Sequence, residues 1–169
     1  MLYEPTTLAS ATALLATSLR EEYGIDPAAI FSEAGLPVAP PQSPQARYPL
    51  AKMRVLWALA REATGDEAIG LKTGMYARPQ HFYALGYSWM ASSTLLGALQ
   101  RLTRYVHVVS TARTDVTLSE TKDSYVLSSA FPDPAMQPPQ EGTDCGLTAV
   151  LSLCDIVAEK KIRPIRAEL

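Results

Sequence analysis

A periodic apolar pattern in the middle of the chain constrains the fold more than any other feature. Within residues 85–109, apolar side chains recur at steps of three and four residues: Leu95, Ala98, Leu99, Leu102, Tyr105 and Val106. This spacing places them on one face of an α-helix, with Arg101 and Arg104 beside that face. Ser92 or Ser93 is predicted to cap the helix, because a hydroxyl accepts a hydrogen bond from a free N–H group of the first turn. We therefore expect the helix to pack against a core through this face.

Residues 1–36 are predicted to form a helical hairpin. Thr6 or Thr7 is expected to cap its first helix. Asp26 and Pro27 give the second helix a cap and a first residue with a suitable φ angle. Two helices joined by a turn are also typical of DNA-binding proteins, but residues 26–35 contain no Lys or Arg that could meet a phosphate backbone. The hairpin is therefore expected to pack against the rest of the protein.

The segment 37–49 is rich in proline, which breaks helices and central strands, so we interpret it as a linker. Residues 50–169 are predicted to form an α+β body that begins with a helix over residues 50–64. Four side chains of this helix are expected to face inward: Met53, Leu56, Trp57 and Ala60. A shorter helix should follow from Asp66 to about Gly74, and another over residues 81–90. Three glycines are expected to end helices: Gly24, Gly35 and Gly65.

After the central helix the pattern changes to the alternation of strands. Residues 115–119 and 125–131 are predicted to pair as a hairpin. Thr143 is expected to cap a final helix with an apolar stripe of Leu147, Val150, Leu151, Cys154 and Val157. Residues 162–165 are typical of the start of a strand. The predicted fold is thus α+β, with the N-terminal helical hairpin and further helices packed on a small antiparallel sheet.

The bulk properties exclude several classes of protein. A formal net charge of −2 gives the chain no overall attraction for nucleic acid, so it is not expected to bind DNA by itself. No apolar run reaches transmembrane length and the N-terminus lacks the basic segment of a signal peptide, so we predict a cytoplasmic protein without a membrane partner. Cys145 and Cys154 would lie roughly 13 Å apart along one helix, too far for a disulfide, and are expected as buried free thiols.

No motif indicates catalysis, a cofactor or a metal site. Residues 65–73 approach a phosphate-binding loop, but Leu71 stands where that loop needs Lys, and a helix precedes it instead of a strand. Neither cysteine lies near His81 or His107 in the sequence, as a zinc site would require. Ser88 lacks the second glycine of a nucleophile elbow. We therefore predict a protein that is not an enzyme and has no cofactor and no bound metal.

Several short motifs together resemble a known family. Leu-Gly-Tyr at 85–87 precedes a helix that is entered through Ser-Ser-Thr-Leu at 92–95 and closed by Leu-x-Arg-Tyr at 102–105. Gly65-Asp66 is followed by Gly70-Leu71. Over about residues 6–165 the chain is similar to the N-terminal effector-binding domain of AraC-type transcriptional regulators, in the branch called arabinose-binding-like.

This resemblance implies a ligand-sensing and dimerising domain that takes a small-molecule effector and forms a homodimer. It also implies that DNA is bound only through a C-terminal helix-turn-helix domain beyond Leu169, so that the chain is a truncated fragment of a regulator. A second hypothesis stays open at this point. The chain would then be a stand-alone protein-interaction module that dimerises through an exposed apolar helix face and binds no small molecule.

The resemblance does not supply ligand residues, so the candidate site is taken from the sequence itself. Seven aromatic and polar residues lie in one region, as in the lining of small-molecule pockets: His81, Tyr83, Tyr87, Trp89, Arg104, Tyr105 and His107. Arg104 and His107 could hold a carboxylate. Alternatively, the aromatic residues are core and Arg104 and His107 lie on a solvated helix edge.

Overall fold

The computed structural model describes residues 4–112 and 114–168, and it confirms the α+β class. Helices predominate and the strands are short. The α-helices are α1 Thr12–Tyr23, α2 Ala28–Glu33, α3 Leu50–Thr64, α4 Ile69–Gly74, α5 Tyr83–Met90, α6 Leu95–Val109 and α7 Gln140–Ala158. Short 3-10 helices span Ala9–Ala11, Pro79–Phe82 and Pro134–Met136. The strands are β1 Thr6–Leu8, β2 Arg47–Pro49, β3 Asp115–Glu120 and β4 Tyr125–Ala130.

The strands form two separate antiparallel pairs, where the sequence suggested one small sheet. β3 and β4 make the predicted hairpin, with Leu118 opposite Leu127. β1 pairs with β2, with Thr7 opposite Tyr48. The prediction that Thr6 or Thr7 caps a helix is therefore wrong, because both residues belong to a strand whose partner lies about forty residues further along the chain. Local propensity cannot reveal such a partner.

Arg47 joins three parts of the fold from within the proline-rich segment. Its Nε donates to the Thr6 hydroxyl at 2.8 Å, and its two terminal nitrogens donate to the carbonyls of Val108 at 2.8 Å and Val109 at 3.2 Å. These carbonyls belong to the last turn of α6, where they lack helical partners and where the helix dipole favours a cation. The end of the predicted linker is therefore bound firmly to the helical body.

The central helix α6 covers the predicted residues, but it is capped by a different side chain. The Thr94 hydroxyl accepts the hydrogen bond of the Gly97 N–H group at 3.1 Å, so the prediction of Ser92 or Ser93 as cap is wrong by one or two positions. Ala98 and Leu102 are buried on the predicted face. Tyr105, placed on that face by its spacing, is 39 % exposed.

The core is built mainly between helices. Trp89, Phe31, Leu15, Leu19, Leu56 and Ile69 are among its largest fully buried side chains. The four inward residues predicted for α3 are all buried, and Gly24, Gly35 and Gly65 each adopt the positive φ angle of a residue that follows a helix. None of the helices in the described part of the chain has the length and hydropathy needed to cross a membrane.

Helices α4 and α7 cross at very close range through two glycines. A Cβ atom built on Gly70 would lie 2.8 Å from the Cα of Glu141, and one built on Gly74 would lie 2.8 Å from the backbone nitrogen of Ala149. Only glycine leaves room for such an approach of two backbones. The segment that resembled a phosphate-binding loop in sequence is therefore a helix-packing motif.

Lys72 of this segment pairs at 2.6 Å with Asp66, and this hydrogen bond, more than any other contact, lowers the pKa of Asp66 to about 2.

The final helix, α7, differs from the prediction in its first residue and in the side chains that it buries. It begins at Gln140, directly after Pro139, so Thr143 lies inside the helix and does not cap it. Cys145, Ala149, Leu153 and Cys154 are buried, whereas Leu147 is 36 % exposed. Because α7 packs against the glycines of α4, its buried face includes small residues. An apolar stripe in the sequence does not predict this face.

The segment after α7 does not form the strand start predicted for residues 162–165. The Ile162 N–H group donates to the Asp155 carboxylate at 2.6 Å, which turns the chain back against its own helix.

Both cysteines, Cys145 and Cys154, are free and buried, as predicted. Burial raises the pKa of Cys145 to about 12 and that of Cys154 to about 11, with smaller contributions from the neighbouring Asp144 and Asp155. Thiols in this state are poor nucleophiles.

Candidate functional site

A cleft of about 530 Å³ opens between the proline-rich segment and the region that leads into α5. One wall is the loop 39–42, the floor includes Ser10 and Ala13 near the start of α1, and the other wall carries Gln80, His81, Tyr83 and Tyr87. Its volume lies within the range of small-molecule sites. The cleft therefore brings together three of the seven residues predicted for the ligand site, namely His81, Tyr83 and Tyr87.

The imidazole of His81 is held in one orientation. Its Nδ1 atom accepts the hydrogen bond of the Arg78 N–H group at 3.1 Å, so the proton of the neutral ring lies on Nε2. Its backbone carbonyl accepts the Ser10 hydroxyl proton at 2.7 Å, which fixes the 3-10 helix against α1. Burial, and to a smaller extent the charge of Arg78, lower the pKa of His81 below its usual value. At neutral pH the ring is therefore an uncharged donor through Nε2.

A second, smaller cleft of about 380 Å³ adjoins the first and shares Tyr83 with it. It is lined by Leu8, Pro44, Gln45, Arg47, Tyr83, Ala84 and Val108. The Arg47 guanidinium in this lining already donates to oxygens of Thr6, Val108 and Val109. Most of its N–H groups are therefore engaged within the protein.

Tyr83 lines both clefts and has an unusual backbone conformation. Its φ angle is 42° and its ψ angle is −117°, a combination that L-residues other than glycine rarely adopt. The strain arises where the 3-10 helix Pro79–Phe82 meets α5. Gly86 lies so close to Pro79 that an added Cβ atom would overlap the Pro79 carbonyl. Because these two segments lie so close together, the chain turns from the 3-10 helix into α5 at a single residue, Tyr83.

The strain at Tyr83 leads to a prediction. Tyr83→Gly and Tyr83→Ala remove the same ring, but only glycine relieves the backbone, so the glycine variant should be the more stable by about 1–3 kcal/mol. Urea unfolding followed by circular dichroism measures the difference. Equal stabilities of the two variants would show that the backbone at position 83 is unstrained in solution.

The other four predicted residues lie outside both clefts. Trp89 is fully buried and its indole N–H donates to the Leu153 carbonyl at 3.0 Å, so it fastens α5 to α7. Arg104, Tyr105 and His107 are exposed on α6. The structure therefore does not bring Arg104 and His107 together with the aromatic residues of the cleft.

Sequence reasoning missed the lining contributed by the loop 39–42, by Ser10 and by Gln80. The available signal was the proline-rich segment itself, because ordered loops on a rigid scaffold often carry binding residues. Because we interpreted this segment as a linker, we did not predict that it lines the cleft.

The described residues contain no group of three or more His, Cys, Asp or Glu side chains arranged to hold a metal ion.

Comparison with known proteins places the chain in a family. No curated protein matches it significantly. The family model described as the arabinose-binding domain of AraC transcription regulators, N-terminal, matches residues 24–169. The match covers α2 to α7 and includes both the loop 39–42 and the residues from Gln80 to Tyr87. The family is one of regulatory, ligand-binding domains, and this chain belongs to it: it is an arabinose-binding-type domain of the AraC transcription regulators.

Proposed function

We propose that this domain senses a small-molecule effector in the cleft beside His81 and thereby controls DNA binding by a helix-turn-helix domain of the same regulator. The observation that carries the proposal is the cleft itself, which has a volume of about 530 Å³ and brings together His81, Tyr83 and Tyr87, with the His81 ring fixed by the Arg78 N–H group. The family match supports a regulatory role in transcription. The domain is proposed to be a cytoplasmic, non-enzymatic regulator that works as a homodimer.

The cleft is arranged so that a ligand can influence distant parts of the domain. Its first wall is continuous in sequence with β2, where Arg47 holds the end of α6. Its second wall is the start of α5, which Trp89 fastens to α7. A ligand that binds one arrangement of these walls more tightly than another shifts the population toward that arrangement. This shift is the proposed signal to the DNA-binding domain.

A thermal-shift screen tests the proposal. Libraries of amino acids, sugars, fatty acids and aromatic acids are added at millimolar concentration, since any ligand of the folded state raises the apparent melting temperature according to its concentration divided by its Kd. We expect at least one compound to raise the melting temperature in a saturable way. Its apparent affinity should be about tenfold lower for Tyr87→Ala than for the wild type.

Tyr105→Ala is the matched control, because Tyr105 is also an exposed tyrosine on a helix but lies outside both clefts. It should leave the ligand effect unchanged. If Tyr105→Ala abolished binding and Tyr87→Ala did not, the site would lie on α6. If no compound shifted the melting temperature while the chain formed a concentration-dependent dimer, the interaction-module hypothesis would replace the sensor.

A further inference from the structure

The formal charges are distributed unevenly along the chain. Residues 68–114 contain five Lys or Arg residues and no Asp or Glu, so all seventeen acidic residues lie elsewhere in the sequence. This acid-free range includes α4, α5 and α6. A protein whose formal net charge is −2 therefore contains one region in which the cations have no acidic neighbours along the chain.

Part of this positive charge lies on the side of α6 that faces away from the core. Ala98 and Leu102 are the buried residues of α6, and polar side chains recur on the opposite side at steps of three and four residues. We call this side the α6 outer face; it consists of the exposed Gln100, Arg104 and His107, flanked by the half-buried Arg101 and Thr103. All five side chains can donate hydrogen bonds, and none of them is an acid.

The ion pairs of the described residues do not involve the α6 outer face. Their cations are Arg61, Lys72, Lys161 and Arg166. Arg101 donates through Nη1 to the Ser88 carbonyl at 2.6 Å, which fixes its guanidinium beside α5. Arg104 is exposed and forms no ion pair within the described part of the chain. Its charge is therefore available to a partner.

The surroundings of the α6 outer face contain little negative charge. The last carbonyls of a helix carry a partial negative charge, and in α6 those of Val108 and Val109 accept hydrogen bonds from the Arg47 guanidinium. The neighbouring α5 has no charged residue, and the first acidic residue after α6 is Asp115 in β3. An anion that approaches this face meets donors and cations, and no carboxylate of α5 or α6 repels it.

We infer that the α6 outer face binds the phosphate backbone of duplex DNA, and so adds a contact independent of base sequence to those of the DNA-binding domain of the same regulator. DNA is the polyanion on which transcription regulators act, and the chain belongs to a family of such regulators. The helix rises by about 10 Å from Gln100 to His107, and successive phosphates of one strand by about 3.4 Å, so the face can reach two or three phosphates. The acidic residues elsewhere would turn the other sides of the domain away from DNA.

This contact is separate from the proposed effector site, because none of its five residues lines either cleft. Fluorescence anisotropy of a labelled duplex of mixed sequence, titrated with the 169-residue chain, measures it directly. In buffer of low salt we expect a Kd of about 10⁻⁴ M. Two phosphate contacts give a slope of about −2 for the logarithm of affinity against that of salt concentration. A fivefold rise in salt should therefore weaken binding about twentyfold.

Arg104→Gln removes one cation of the face. It should lower the affinity at low salt about fivefold and make the slope less steep by about one, without changing the circular dichroism of the exposed site's helix. Arg20→Gln is the matched control, because Arg20 is also exposed on a helix but lies on α1, and it should leave both quantities unchanged.

Three results would overturn the inference and leave the effector cleft unaffected. The first is no change in anisotropy at the lowest salt concentration. The second is an equal loss of affinity in Arg104→Gln and Arg20→Gln, which would mean that binding does not depend on α6. The third is self-association of the chain that weakens with salt and is lost in Arg104→Gln, without DNA binding, which would assign the face to an acidic protein surface.

Discussion

Replacing Gly74 with Ala is expected to lower the free energy of unfolding by about 3 kcal/mol or more. The added Cβ would lie 2.5 Å from the Cys145 carbonyl oxygen and 2.8 Å from the Ala149 nitrogen, both of them backbone atoms of α7. Backbone cannot move aside as a flexible side chain can, so α4 and α7 must separate. Urea unfolding followed by helical circular dichroism measures the loss.

Gly146→Ala is the matched control for this prediction. Gly146 lies within α7, but a Cβ added there would meet no atom within 4 Å. Because alanine is the better helix former, this variant should be more stable than the wild type by about 0.5–1 kcal/mol. If Gly74→Ala and Gly146→Ala changed the stability alike, the close crossing of α4 and α7 would not exist in solution.

Trp89→Ala should have an effect of similar size, because it empties the space of the largest fully buried side chain. A loss of about 3–5 kcal/mol is expected. Trp89→Phe retains much of the apolar volume but loses the hydrogen bond to the Leu153 carbonyl, and it should cost less. Tyr87→Ala, two residues earlier on the same helix, should change the stability little because Tyr87 is 64 % exposed.

The same variants separate structural from binding roles in α5. Trp89→Phe should keep the ligand affinity of the wild type once the protein is folded, whereas Tyr87→Ala should lose affinity with little loss of stability. The opposite outcome, in which Trp89→Phe weakens ligand binding and Tyr87→Ala does not, would place the ligand inside the core.

Much of the fold could be predicted from the sequence because its signals are local. The apolar period of α3 and α6, the glycines after helices, and the alternation of β3 and β4 depend on residues a few positions apart. The β1–β2 pair, the glycine crossing of α4 with α7 and the turn at Asp155 depend on contacts with distant residues or on a single hydrogen bond. Periodicity contains no information about such contacts.

The candidate site was predictable only in part for the same reason. His81, Tyr83 and Tyr87 were identified because aromatic and polar residues cluster in the sequence, and the structure does bring these three to one cleft. Trp89 shares their composition but points into the core, and Arg104 lies on an exposed part of α6. The loop 39–42 faces them across the cleft from a position about forty residues earlier in the chain. Composition alone could not distinguish these cases.

We propose that the effector binds between the loop 39–42 and the wall formed by His81, Tyr83 and Tyr87. The most direct test is a crystal structure of the domain with the tightest ligand from the thermal-shift screen. We expect the ligand to contact the side chains of His81 and Tyr87 and the proline-rich loop. A ligand bound instead against Arg104 and His107 on α6, with the cleft unchanged, would contradict it.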